Sequence, residues 1–179
     1  MINDGINNRG QPVTLQQWTL DIPTTLMQGL WHLEGELVSI LGDGNVFPQQ
    51  VVVNGTITLP AAVTRCIIGI PYTCRAKSLP ITTPQGVIEG RRKRVTGLAL
   101  RLDRSRGLQA GRAQDNLYPL RERSTELLGQ PTRMINGQTY MLLQSNWDEN
   151  GQTYFVQTDP LPATILSYVQ EVEVGDDPD

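Results

Sequence analysis

The 179-residue chain holds two cysteines, one histidine, ten aromatic residues and no apolar run near the roughly 20 residues that a membrane-spanning helix requires. Each scarcity excludes a class. Cys66, Cys74 and His32 are too few for a structural zinc site made of cysteine and histidine alone, and neither a C-x-x-C nor an H-E-x-x-H spacing occurs. A chain of this length buries about 70% of its unfolded surface, so it needs neither metal nor disulfide to fold, and the two thiols read as buried or idle. No cofactor and no metal are expected. The first residues carry neither a basic n-region nor an apolar h-region, so the expected protein neither spans a membrane nor is led by a signal.

Catalytic parts are also scarce. There is no glycine-rich phosphate loop with a following lysine and no G-x-S-x-G elbow, and His32 alone could act as a histidine base. The acid pairs Glu34 with Glu36 and Asp148 with Glu149 could serve a glycosidase, but that chemistry needs carboxylates from separated segments facing each other about 5 to 9 Å apart across a cleft. They read as surface acids, and the expectation is that the protein is not an enzyme. Asp43-Gly44-Asn45 opens like a calcium loop, yet the later acid is missing and Pro48 interrupts it, so a turn is expected there.

What the chain does have is turns and short β-prone runs. Glycine and proline make up 29 of its residues, a high share that demands frequent reversals. Met1 to Gly29 shows almost no periodicity and is broken by Asn7, Asn8, Gly10, Pro12 and Pro23, which suggests an extended N-terminal arm anchored at Val13, Leu15, Trp18 and Leu20. Leu37 to Leu41 predicts a buried strand closed by Gly42-Asp43-Gly44. Asn54-Gly55 lies between Val51-Val52-Val53 and Thr56-Ile57-Thr58-Leu59. It predicts a hairpin with a type I′ turn, in which both central residues take positive φ.

Ile67, Ile68 and Ile70 predict a strand stopped by Pro71. Leu98, Leu100 and Leu102 alternate with Ala99, Arg101 and Asp103, the period of a strand with one apolar face. Asn136-Gly137 and Asn150-Gly151 mark two further reversals, with Tyr140 to Leu143 and Tyr154 to Val156 as strands beside them. Asp159-Pro160-Leu161-Pro162 predicts a bend before a last run from Ile165 to Val174, and only Ser124 to Leu128, followed by Gly129, has helix-like chemistry. The expected fold is mainly β, an antiparallel sandwich or barrel-like domain with several hairpins and little helix. It covers 30–175, between the arm at 1–29 and an acidic tail at 176–179.

Charge is unevenly placed. Arg91 to Arg106 carries seven basic residues against the single acid Asp103, a local +6 in a chain whose net charge is −3, while Glu171, Glu173, Asp176, Asp177 and Asp179 crowd the last nine residues. Three readings fit such a cluster: phosphate neutralisation in DNA binding, a solvated flank that protects a sheet edge, and an ion-pair surface between subunits. Overall acidity and the lack of stacking aromatics among these residues weigh against DNA.

Several ordered stretches carry a resemblance. Leu30-Trp31-His32-Leu33-Glu34-Gly35, Gly69-Ile70-Pro71-Tyr72-Thr73-Cys74-Arg75, Arg91 to Arg94 and Leu102-Asp103-Arg104-Ser105-Arg106-Gly107 look like the tail nozzle, or tail tubular protein B, family of short-tailed bacteriophages. Asp159-Pro160-Leu161-Pro162-Ala163-Thr164-Ile165-Leu166, followed by Glu171-Val172-Glu173-Val174, is similar to the C-terminal signature of that group. The likeness covers about Leu30 to Gly175 and corresponds to the C-terminal region of proteins several times longer.

It implies a structural virion component of the phage tail, assembled in the host cytoplasm as a homo-oligomeric ring, with six subunits the number suggested. Such a ring contacts other tail proteins and passes DNA as cargo, with no catalytic residue and no small-molecule substrate. On this reading Arg91, Arg92, Lys93 and Arg94, with Arg104 and Arg106, meet acids of an adjoining subunit or of the chain's own C-terminal arm, Glu171 and Glu173. A host-surface glycan or receptor-binding module, stacking ligands on Trp18, Trp31, Trp147 or Tyr154, is the second reading, and a cell-wall glycosidase the third.

Overall fold

The computed structural model describes residues 15–82, 88, 90–122, 125–127, 130–144 and 146–175, and the side chains of these apart from 15–19 and 21. The expected anchor Val13 and the acidic tail 176–179 lie outside the described residues, as does the side chain of Trp18. The fold is mainly β, as expected, with three antiparallel sheets. Its contacts divide into two compact units, Met1–Tyr72 with Thr125–Thr132, and Thr73–Ser124 with Arg133–Asp179, so the expected span 30–175 contributes to both.

The first unit is one sheet of four strands, β1 (Leu15–Gln28), β2 (Leu37–Gly42), β3 (Asn45–Val51) and β4 (Thr56–Gly69), in the order β1-β4-β2-β3. Much of the expected arm is therefore a paired strand. Its pairing with β4 shifts register between Thr19 and Thr24 and again between Thr24 and Leu26, around Pro23, which has no N–H to give the ladder. Two shifts erase the period of two along β1.

Asp43 and Gly44 join β2 to β3 with φ of +46° and +81°, and Asn54 and Gly55 take φ of +54° and +63°, the signs a type I′ turn requires. The second hairpin does not extend beyond that turn. One bridge, Val53 to Thr56, closes it, and then the arms part: β3 pairs with β2, while β4 pairs with β1 and β2. A 3-10 turn at Trp31–Leu33 folds Leu30 and Leu33 onto Met27, Val38, Ile40, Ile57 and Ile68 to close the core.

The second unit is a sandwich of two sheets. One has β5 (Cys74–Lys77), β10 (Tyr154–Gln157), β7 (Leu108–Ala113) and β8 (Asn116–Pro119), in the order β5-β10-β7-β8. The other has β11 (Ile165–Val174), β6 (Lys93–Ser105) and β9 (Ile135–Leu142), in the order β11-β6-β9. Leu98, Leu100 and Leu102 are fully buried, and their cluster includes Leu108, Ala110 and Phe155 of the facing sheet, while Arg101 between them is exposed. The alternation read in the sequence thus sets which side of β6 is core.

The expected reversal at Asn136-Gly137 does not occur, because both residues lie inside β9. Gly137, at φ +110°, pairs with Leu102, and the ladder slips one step on before Ser105 meets Ile135, so this glycine serves an irregular strand instead of ending one. Thr125–Leu127, the described part of the expected helix, is not helical, and Ser124 and Leu128 lie outside the described residues.

Candidate subunit-interface surface

β6 sends the basic cluster to different environments because successive side chains leave a strand on opposite sides. Lys93 opens the strand and is buried at 3% exposure. Its backbone exchanges two hydrogen bonds with Asp148, at 2.6 and 2.7 Å, and its ammonium donates to the Glu149 carbonyl at 2.8 Å. Arg106 is buried too, its guanidinium 3.7 Å from the Glu122 carboxylate, which also accepts the Gly107 N–H. Lys93 and Arg106 are thus enclosed by their own unit, and removing either would leave buried partners without a counterpart.

The other candidates are more open. Arg94 lies opposite Glu173 in the β6–β11 register, and their side chains approach to 3.8 Å, so one expected meeting of the basic run with the C-terminal arm occurs within this chain. Arg104 is exposed, 3.7 Å from Asp103. Arg91 is half-buried, and Arg92 is exposed, with its carbonyl accepting the Gly175 N–H at 2.8 Å. Glu171 accepts the Tyr140 hydroxyl. Of the eight, Arg94 and Glu173 are a base and an acid that the fold brings together.

The register builds a surface that charge patterning did not reveal. On the face of the β11-β6-β9 sheet turned away from the core, Tyr140, Ala99 and Val169 form one cross-strand row, with Leu142, Gly97 and Glu171 in the next and Gln138, Arg101 and Ser167 on the other side. Tyr140, Val169 and Leu142 are 52%, 67% and 73% exposed, a contiguous apolar strip in a polar surround.

Gly97 makes the middle of this face possible. A methyl group there would collide with both the Tyr140 hydroxyl and the Glu171 carboxylate, so the bare backbone lets them meet across β6. That hydrogen bond is the first cause of a Tyr140 pKa above its ordinary value, with desolvation and the charge of Glu171 adding to it. The outer edges of β11 and β9 have no strand partner among the described residues. A ten-residue edge that also shows Leu166 and Val169 to solvent offers both backbone hydrogen bonds and apolar contact to another chain.

Other sequence candidates resolve into structural work. The Glu34 carboxylate accepts the N–H groups of Asn54 and Gly55 at 2.8 and 2.6 Å, clamping the type I′ turn from twenty residues away. Asp43 accepts the N–H groups of Thr64 and Arg65 and the Thr64 hydroxyl, all within 2.9 Å. The Thr64 N–H bond leads in holding its carboxyl below the usual range, and desolvation opposes it. Burial, with the charge of Asp43 adding to it, pushes the Cys66 thiol up to about 11, whereas Cys74 is exposed. His32 and Trp31 are exposed in the 3-10 turn, and Trp147 is exposed in the second unit.

Among the described residues, no group of three or more His, Cys, Asp or Glu side chains is placed to share a metal ion, and no helix is long and apolar enough to cross a membrane. No family model matches the chain, and no curated protein matches it.

Proposed function

We propose that this protein is a structural component of a phage tail, a nozzle-like ring subunit whose role is contact between copies and through which the genome passes. The observation that carries the reading is the β11-β6-β9 sheet, with its exposed apolar row and, among the described residues, an unpaired edge on each side. Different edges at the two ends suit a head-to-tail contact, and such heterologous contacts close into a ring when the rotation allows. The ordered motifs that resemble the tail nozzle family suggest the assembly, and the scarcity of catalytic side chains is in keeping with a role in which no bond is made or broken. Exposed ion pairs such as Arg94 with Glu173 are each worth under about 1 kcal/mol, so apolar contact and strand pairing would carry the affinity.

The test is the mass of the purified protein by sedimentation velocity, with electron microscopy of the particles. A closed ring of uniform mass is expected, and Leu142→Lys combined with Val169→Lys should convert it to a monomer that keeps the circular dichroism of a folded β protein, since both side chains face solvent in the single chain. A wild-type chain that stays monomeric at every concentration, or a ring indifferent to the double variant, would overturn the proposal.

A further inference from the structure

We propose that the cleft at one end of the β5-β10-β7-β8 sheet is a binding site for a neutral oligosaccharide. The inference stands on this cleft alone and not on the tail reading. The cleft measures about 520 Å³ and lies wholly within the second unit, where the end of β5, the start of β10, the end of β7 and the β7–β8 turn converge. That size is within the usual range for small-molecule sites, but the lining is polar where most such sites are apolar. Its chemistry therefore has to be read from the polar groups.

Charge comes first. Lys77 and Arg112 are balanced by Asp115 and Asp148, and the Arg112 guanidinium sits 3.9 Å from the Asp148 carboxylate. A lining with no net charge does not select a phosphate, a nucleic acid or a metal ion, each of which needs a surplus of one sign. Amides come next. Asn116, Asn146, Asn150 and Gln152 each present a carbonyl acceptor and an NH2 donor, the mixed set that suits hydroxyl groups, which also donate and accept. Gln152 is held in place because its Nε2 donates to the Ser78 carbonyl at 2.9 Å, and Asp148 is held by its two backbone bonds to Lys93. Two walls of the cleft are thus set before any ligand arrives, which lowers the ordering cost of binding.

The remaining feature is an aromatic ring. Tyr154 pairs with Lys77 on one side and Gly111 on the other, where the Asn116 and Leu117 backbone fills the place that a side chain at 111 would take. The Lys77 ammonium lies over one face of the ring, 4.9 Å from its centroid, so a ligand would meet the ring's other face or its edge, with the ammonium's N–H groups beside it. A pyranose has both halves of the required complement, an apolar C–H face for the ring and a girdle of hydroxyls for the amides and carboxylates around it.

The test uses the full chain. Binding is first screened on an array of neutral and acidic oligosaccharides, and the neutral hit is titrated into isotope-labelled protein by NMR. The side-chain amide signals of Asn116, Asn146 and Asn150 should shift. Tyr154→Ala should abolish binding, and Asp115→Ala, at an exposed turn where folding is not at stake, should weaken it about tenfold with an unchanged melting temperature. The proposal fails if no neutral glycan binds, if only acidic glycans bind, or if Asp115→Ala binds as tightly as the wild type. Because the readout is a glycan-induced shift and not the mass of an assembly, its failure is distinct from failure of the ring.

Discussion

Both units are antiparallel sheet, but they differ in how they use their acids. In the first, Glu34 and Asp43 turn their carboxylates onto backbone N–H groups at the Asn54-Gly55 turn and at Thr64-Arg65, distant in sequence from either acid. In the second, acids on strands or beside them meet side chains: Glu173 meets Arg94, Glu171 meets Tyr140, and Glu122 meets Arg106 as well as the Gly107 N–H. A clamp on backbone donors secures chain reversals around a single sheet. Cross-strand pairs decorate a sandwich whose stability comes from apolar side chains between its sheets, which leaves the outer face free for contact with another chain.

The largest expected effect breaks the sandwich itself. Leu100 is fully buried in the middle of β6, and Leu100→Ala should cost about 2 to 5 kcal/mol in urea unfolding through lost burial and a residual cavity. A loss below about 1 kcal/mol would mean that the two sheets do not share a tight core.

Next is a contrast of two glycines. Gly55→Ala puts a side chain at φ +63° and drives it into the Trp31 ring, so the strain and the collision together should cost about 2 kcal/mol or more and perturb tryptophan fluorescence. Gly97→Ala has no positive φ to strain, and its collision is with the ends of two flexible, exposed side chains. It should separate Tyr140 from Glu171 and return the tyrosine titration toward its ordinary value, with a smaller stability change. Equal losses at both positions would erase the distinction between a clamped turn and a decorated face.

The smallest effect is acid dependence in the first unit. The folded-state pKa of Asp43 lies below its ordinary 3.8, so its contribution is present above that value and is lost as pH falls through the folded pKa. Asp43→Asn should therefore lower the urea midpoint at pH 7 and converge with the wild type in strong acid. A gap that persists unchanged in strong acid would show that the charge of the carboxylate is not what matters.

Much of the local structure was legible. Leu98, Leu100 and Leu102 report their buried face because β6 keeps a strict period of two there, and Asn54-Gly55 and Asp43-Gly44 report their turns because few other residues tolerate positive φ. β1 was illegible for the same reason in reverse, since register shifts around Pro23 remove the period that identifies a strand. The candidate interface was half legible. Counting charges found Arg94 and Glu173, but it also gathered Lys93 and Arg106, which the fold buries, and missed Tyr140, Leu142 and Val169, whose exposure follows from the register of three strands.

Sequence by itself determined the class of structure, the turns at Asp43-Gly44 and Asn54-Gly55 and the inward face of β6, because those depend on φ preferences and on alternation within a few residues. Tertiary structure alone decided which strands became neighbours, that Asn54-Gly55 closes a turn whose arms then part, and that Gly97 lets Tyr140 reach Glu171. Those outcomes depend on hydrogen bonds and contacts between residues tens of positions apart, and local preference carries no record of such partners.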